Sequence, residues 1–354
     1  MGKGKPARTA TAILAAAAGT GYASGREIVL FFTQLGWASW IGIAFAATVF
    51  GLLAGVLCRC ASRWDADSFA GLCGRLLGRR AAGLAGALHA LLLALTSAVM
   101  LCAAGELGAL ALPLRQGFLW GMGLALLAAL ALSLGRLRAL PWLGLAVLAV
   151  GVAFYGGLAL DPRPPRAYLH GDVALALEGS PASAILLALA YGAMNACLAA
   201  GACVRFGREA RDPARVGVAC AGMLLALLAC ANAAILRGGR PLLAQALPTV
   251  LLAARWGLAG FWLSAGFSFL CATTTLAAAM GGLTDLLARP GPGRRAAGAA
   301  IFGVLPVLCA VGIGRSIGTV YPAVGWLCAA LMLAAACRAD TLATGGKNDV
   351  KCSK

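Results

Sequence analysis

Apolar runs long enough to cross a bilayer recur along the whole chain, and they limit everything else it can fold into. An α-helix rises about 1.5 Å per residue, so about 20 residues cover roughly 30 Å of hydrocarbon. On that ruler the 354 residues contain ten spans: Thr9–Leu35, Trp37–Cys60, Ala81–Leu112, Gly117–Gly135, Pro141–Leu160, Pro181–Val204, Arg215–Leu236, Trp256–Leu287, Ala296–Gly314 and Ile317–Cys337. The chain is 61% hydrophobic and 12% charged, where a soluble protein is roughly a quarter charged. A water-soluble globule is excluded. So is a membrane β-barrel, because runs of Leu, Ala and Gly lack the two-residue alternation of a lipid-facing strand. The expected fold is an all-α polytopic membrane protein whose main partner is the lipid bilayer.

The 29 Lys+Arg against 12 Asp+Glu give a formal charge of +17. These basic residues sit singly or in small groups in the connections between spans, with no basic face carrying interleaved aromatics, so no nucleic-acid partner is expected. Of them, 21 fall with the two termini and the even-numbered connections and 7 on the opposite side, while Arg26 lies inside span 1. The positive-inside bias then predicts a multi-pass protein of the cytoplasmic membrane with both termini in the cytoplasm. Lys3, Lys5 and Arg8 ahead of an apolar stretch imitate a signal peptide, but the apolar character resumes at Ile28 and runs through Phe32, which favours one long interrupted helix.

The polar segment 161–180 divides the spans into halves 9–160 and 181–337, flanked by cytoplasmic segments 1–8 and 338–354. An odd number of spans in each half makes any structural repeat an inverted one. Thirteen cysteines lie mostly within apolar spans, which predicts small packing thiols rather than a disulfide framework. Cys58 and Cys60 lack a second pair at zinc-site spacing, and no cofactor is expected. The glycines Gly83, Gly86, Gly121 and Gly123 read as close helix contacts.

Span 1 contains the most unusual stretch. Ala18-Gly19-Thr20-Gly21-Tyr22-Ala23-Ser24-Gly25-Arg26-Glu27 places three glycines in seven residues, then two charges, near the middle of a membrane segment. An interior Gly costs a helix about 0.8–1 kcal/mol, and an ionisable group at depth about 2.5–3.5 kcal/mol. Non-helical backbone at that depth is tolerated where it is buried in protein or lines a wet cavity. The stretch therefore reads either as an unwound segment presenting backbone groups to a substrate and an ion, or as a glycine-packed helix crossing in which Arg26 and Glu27 neutralise each other. Span 6, its counterpart in the second half, carries Tyr191, Gly192 and Asn195, with the amide available for a ligand or for an interhelical bond. Thr273-Thr274-Thr275 in span 8 offers hydroxyls to a sodium ion or to its own helix. Glu106 near the outer end of span 3 reads as a vestibule or interfacial carboxylate, Asp285 as a solvated helix-end residue near Arg289, and His89 as a core histidine.

The segment from Gly19 to Phe32 resembles the opening helix of the YkvI-type bacterial membrane proteins, marked by Gly-x-Gly-aromatic-Ala-Ser-Gly-(Gln/Arg)-Glu running into Phe-Phe. Tyr321-Pro322-Ala323-Val324-Gly325 is similar to that family's Tyr-Pro-x-x-Gly. The family resembles the amino acid-polyamine-organocation superfamily, which implies a LeuT-like five-plus-five inverted repeat with discontinuous helices 1 and 6, in a bacterial inner membrane. The resemblance implies carbonyls of Gly19, Tyr22 and Leu270 and hydroxyls of Thr273 and Thr274 around a sodium ion. It implies a substrate between Gly21, Tyr22, Ala23, Ser24 and Gly25 on one side and Tyr191, Gly192 and Asn195 on the other, with the Ser24 and Gly25 N–H groups meeting a substrate carboxylate. Arg26 would be a gating arginine, with Glu27 or Glu106 in place of the acidic partner that span 10 lacks. The implied activity is ion-coupled (Na⁺ or H⁺) secondary transport of a small amino acid, amine or similar zwitterion; the alternative is a nutrient-sensing receptor of the same fold. An enzyme is not expected, since HExxH does not occur and two histidines leave little material for acid–base work, and no GxxxxGK[ST] suggests an ATP-driven pump.

Overall fold

A computed structural model describes residues 6–112, 115–134, 137–162, 179–243, 247–287 and 317–348. Every regular element among them is helical. Span 1 is three pieces: α1 (Pro6–Ala17), α2 (Thr20–Ser24) and α3 (Arg26–Phe31), followed by a 3-10 segment, Thr33–Ala38. Then come α4 (Ser39–Trp64), α5 (Phe69–Leu77), α6 (Arg79–Ala111), α7 (Gly117–Leu134) and α8 (Leu140–Leu160). The second half has α9 (Pro181–Leu198), α10 (Ala200–Gly207), α11 (Pro213–Gly238), α12 (Arg240–Leu243), α13 (Pro248–Ala253), a 3-10 turn Ala254–Trp256, α14 (Gly257–Leu287) and α15 (Ile317–Asn348).

Among the described residues seven helices are long and apolar enough to cross a membrane, against the ten spans expected from sequence. Two of the remaining three have physical reasons. Span 1 is broken into pieces too short to count singly, and α7 is an apolar helix at the lower limit of length. The expected span Ala296–Gly314 lies outside the described residues, as does most of the connection 161–180.

Helix starts follow their local chemistry. Ser180 accepts from the Ser183 N–H at 3.1 Å and Asp212 from the Arg215 N–H at 3.1 Å, each just ahead of a proline that suits the first helical turn. Packing is by small residues. A Cβ on Gly51 would stand 2.6 Å from the Gly217 carbonyl oxygen, and one on Gly217 would stand 2.6 Å from that of Gly51, so α4 and α11 approach backbone to backbone. Gly121 presses on α6 in the same way, 2.1 Å from the Ala104 oxygen, but Gly83, Gly86 and Gly123 have nothing within 4 Å and are not contact glycines.

The pairing of helices is orderly. α1 packs on α8 while α9 packs on α15; α4 packs on α9 while α11 packs on α1; α4 meets α11 directly and α6 meets α14. On the surface Arg208 joins the connection after α10 to the one after α4 through Asp65 and Asp67, and the hydrogen bonds it donates to Asp65 hold its guanidinium pKa above the usual arginine value. Among the described residues ten cysteines form no disulfide, whereas Cys102 is in one, which the reading of cysteines as packing thiols did not anticipate. Cys73 in the connecting helix α5 has its thiol pushed up to about 12 by burial.

Candidate functional site

The break in span 1 is built from two joints. At the first, the Ala18 N–H still reaches the Leu14 carbonyl at 2.7 Å, and the regular helix then stops. The last turn of any helix leaves carbonyls without intrahelical partners. Thr275 of α14 answers one of them: its hydroxyl donates to the Ala15 carbonyl at 3.1 Å. Gly19 is small because Thr275 is there. A Cβ at Gly19 would lie 2.2 Å from the Thr275 Oγ1.

At the second joint Gly25 adopts φ +78°, a left-handed conformation that a side chain resists. Its N–H closes on the Gly21 carbonyl at 3.0 Å, and the Arg26 N–H is taken by the Ser24 hydroxyl at 3.1 Å. The tip of α13 sits on the turn: a Cβ on Gly25 would come within 2.4 Å of Thr249 Oγ1 and 3.1 Å of Pro248 Cγ. Tyr155 of α8 ties these parts together, donating to the Tyr22 carbonyl at 2.9 Å with its oxygen 3.3 Å from Thr249 Oγ1. The Arg26 guanidinium donates to the Leu243 carbonyl of α12.

Glu27, the residue after Arg26, goes the other way. Its side chain is 2% exposed and folds back over α2, so that a Cβ on Gly21 would be 3.3 Å from Glu27 Oε2 and 3.3 Å from the Tyr191 hydroxyl. The Tyr22 hydroxyl lies beside that of Tyr191. Phe31 and Phe32 close the far side, with ring centroids 5.2 and 4.9 Å from the Tyr191 ring. Gly21, Tyr22, Glu27 and Tyr191 therefore converge on one buried cluster between span 1 and α9.

The other expected site residues stand elsewhere. Asn195 turns its amide back to the Tyr191 carbonyl of its own helix at 2.9 Å. Gly192 faces α4, where a Cβ would meet the Ala46 oxygen at 2.8 Å. Span 6 is interrupted at Ala199, one turn past Asn195, and the Ala199 N–H still reaches the Asn195 carbonyl at 2.9 Å. The Thr273 hydroxyl bonds the carbonyls of Phe269 and Leu270, and that of Thr274 the carbonyls of Leu270 and Cys271. The Leu270 oxygen thus already accepts two side chains of its own helix. Glu106 is exposed on α6, away from the cluster. Asp285 pairs with Arg205 of α10 at 3.0 Å, at the edge of a pocket lined also by Gly201 and Gly281, while Arg289, its expected neighbour, lies outside the described residues. The side chains of Ala23 and Tyr321 lie outside the described residues.

Sequence reasoning passed over Thr275 in favour of its two neighbours, and it named neither Tyr155 nor Thr249. It also missed a buried chain linking the end of span 1 to α11: the Thr33 hydroxyl donates to Asn232 Oδ1 at 2.9 Å, and Asn232 Nδ2 donates to the Ser39 hydroxyl at 2.9 Å. Asn232, one intramembrane amide per helix like Asn195, was the available signal.

No protein-family model and no curated protein matches the chain. Solved structures do. MhsT in complex with L-phenylalanine matches with a TM-score of 0.63 at 15% identity, over 93% of this chain and 86% of that one. A manganese transporter of Eremococcus coleocola, as a variant and in complex with an aromatic bis-isothiourea substituted compound, matches with a TM-score of 0.51 at 14% identity, over 94% of this chain and 75% of that one. At such identities the likeness concerns the fold: the chain is an all-helical membrane protein of the LeuT fold.

Proposed function

We propose that the chain is a secondary transporter working by alternating access, coupled to Na⁺ or H⁺, which moves a small amino acid, amine or similar zwitterion across the cytoplasmic membrane of a bacterium. The observation that carries this reading is the double break of span 1. A helix stopped at Ala18 and again at Gly25 sets backbone groups at membrane depth, and its joints are held by three different helices through Thr275, Tyr155 and Thr249. Such discontinuous helices are where transporters of this kind bind cargo and ion.

The finer expectations belong to the same proposal. The chain has ten spans in two inverted halves, a reading supported by matched pairings such as α1 on α8 with α9 on α15, and α4 on α9 with α11 on α1. Both termini are cytoplasmic, and the Gly19-to-Phe32 motif makes it a YkvI-type member of the amino acid-polyamine-organocation superfamily. Cargo lies beside Gly21, Tyr22, Ala23, Ser24 and Gly25 with Tyr191 as the facing wall, and Gly192 and Asn195, turned to α4 and to their own helix, are left out of it. A sodium ion would sit between the Gly19 and Tyr22 carbonyls and the α14 segment of Leu270, Thr273 and Thr274, with Thr275 the hydroxyl nearest the first joint. Arg26 and Glu27 take part in gating or coupling, with Glu106 at the outer end of α6.

Reconstituted liposomes test it. Labelled amino acids and amines should accumulate under an imposed Na⁺ or H⁺ gradient and leak away when the gradient is collapsed. Saturable binding without accumulation under either gradient would overturn the transport reading.

A further inference from the structure

We infer that the connection between α4 and α6 holds an anionic phospholipid, its phosphate against Arg79 and Arg80 and an acyl chain along the outer face of α6. The inference uses the membrane reading of the chain and is independent of what is transported.

The charge in this connection is unmatched. From Arg59 to Arg80 the chain carries five arginines and two aspartates. Both aspartates are taken by Arg208, which comes from the connection after α10. Among the described residues none of Arg59, Arg63, Arg75, Arg79 and Arg80 is in an ion pair, and all five are exposed. Arg75 is committed to the Trp64 carbonyl at 2.5 Å. Arg79 and Arg80 open α6, whose first turn has no acidic residue and whose cap, Gly78, offers no side chain. The start of a helix is its positive pole and disfavours cations. An anion placed there relieves that conflict, and two guanidinium groups match the oxygens of a phosphate.

The surface next to the arginines makes the anion a lipid's. At about 100° per residue Arg80, Leu84, Ala87 and Leu91 fall on one face of α6. All four are exposed, Leu84 at 77% and Leu91 at 50%, and Gly83 beside them has nothing within 4 Å. From Arg80 to Leu91 the helix rises about 16 Å, close to one leaflet's half of roughly 30 Å of hydrocarbon. A soluble phosphate would use the arginines alone, whereas a phospholipid uses the arginines and the apolar strip together. The helix α5 fixes the height of the arginines: its buried Phe69 meets His89 of α6 edge-on, ring centroids 4.7 Å apart, and it stops at Gly78, where φ is +83° and the chain turns into α6.

The test uses the full chain in phosphatidylcholine vesicles with trace spin-labelled phosphatidylglycerol or phosphatidylcholine, read as relative association with the protein. Phosphatidylglycerol should associate at least about fivefold more strongly at low salt, the effect of about one arginine at a membrane surface, and the preference should shrink at about 1 M salt. Arg79→Gln with Arg80→Gln should remove most of the preference. Arg211→Gln with Arg215→Gln, the same charge change in the connection that Arg208 ties to this one, should leave it. Melting adds a reversal of sign: the first pair of substitutions should leave the melting temperature unchanged or raise it in phosphatidylcholine alone, and lower it once phosphatidylglycerol is mixed in. The inference is overturned if the two lipids associate equally, if both pairs of substitutions reduce the preference alike, or if inorganic phosphate shifts melting in phosphatidylcholine as phosphatidylglycerol does. Should the first pair prevent folding, the salt-dependent comparison of the two lipids and the phosphate addition decide on the unaltered protein.

Discussion

Spans 1 and 6 start from similar letters and end differently. Both place glycines and a polar residue at the middle of an apolar run. Span 1 is interrupted around Gly19, which keeps right-handed φ and ψ, and again at Gly25, where φ is +78°, whereas span 6 is interrupted only at Ala199, also within the right-handed region. The difference lies in what each glycine meets. Gly19 and Gly25 face side-chain hydroxyls from other helices, Thr275 and Thr249, which occupy the space a Cβ would need. Gly192 faces the backbone of α4, so that glycine serves a close crossing of intact helices. A glycine in a membrane helix therefore opens the backbone when a neighbour supplies hydrogen bonds to the broken ends, and otherwise tightens packing.

Glycine substitutions turn that contrast into numbers. Gly25→Ala should be the most damaging, since it adds left-handed strain of about 1–2 kcal/mol to overpacking of about 1–3 kcal/mol against Thr249. Reversible unfolding in lipid or mild detergent would show it, and a loss below about 1 kcal/mol would mean that the turn is not left-handed. Gly192→Ala should lose about 1–3 kcal/mol by overpacking alone, because the Ala46 carbonyl cannot rotate aside. An equal or larger loss than at Gly25 would erase the distinction between the two spans.

Smaller effects separate the ties that hold the joints. Asn232→Ala should cost about 1–3 kcal/mol by leaving Thr33 and Ser39 short of a buried partner, while Tyr155→Phe, which removes the donor to the Tyr22 carbonyl and keeps the ring, should cost about 1 kcal/mol. Gly201→Ala should go the other way. A Cβ there meets nothing within 4 Å, so α10 should gain up to about 1 kcal/mol of helix propensity, read as a rise in melting temperature. A clear destabilisation at Gly201 would show that the pocket beside Arg205 and Asp285 closes on this residue.

The membrane class and the interruption of span 1 were legible because both rest on local quantities: run length, and the density of glycine and charge between Ala18 and Glu27. Which hydroxyl of the threonine run turns outward was not legible. Three adjacent residues on a helix point about 100° apart, and only the placement of α1 shows that Thr275 faces the break while Thr273 and Thr274 bond their own turn. The same holds for Asn195. Its amide looked available in the sequence, but the Tyr191 carbonyl lies one turn back and in reach. Tyr155 and Thr249 gave no local signal, because their significance is a meeting with residues far away in the chain.

The most direct test of the account is the accessibility of the break from the two sides of the membrane. With the 13 native cysteines replaced, a Ser24→Cys variant should react with a membrane-impermeant thiol reagent from either face in separate experiments, and bound cargo should change the two rates in opposite directions or suppress both. Reaction from one face only, unaffected by ligand or gradient, would contradict a site that alternates between the two sides.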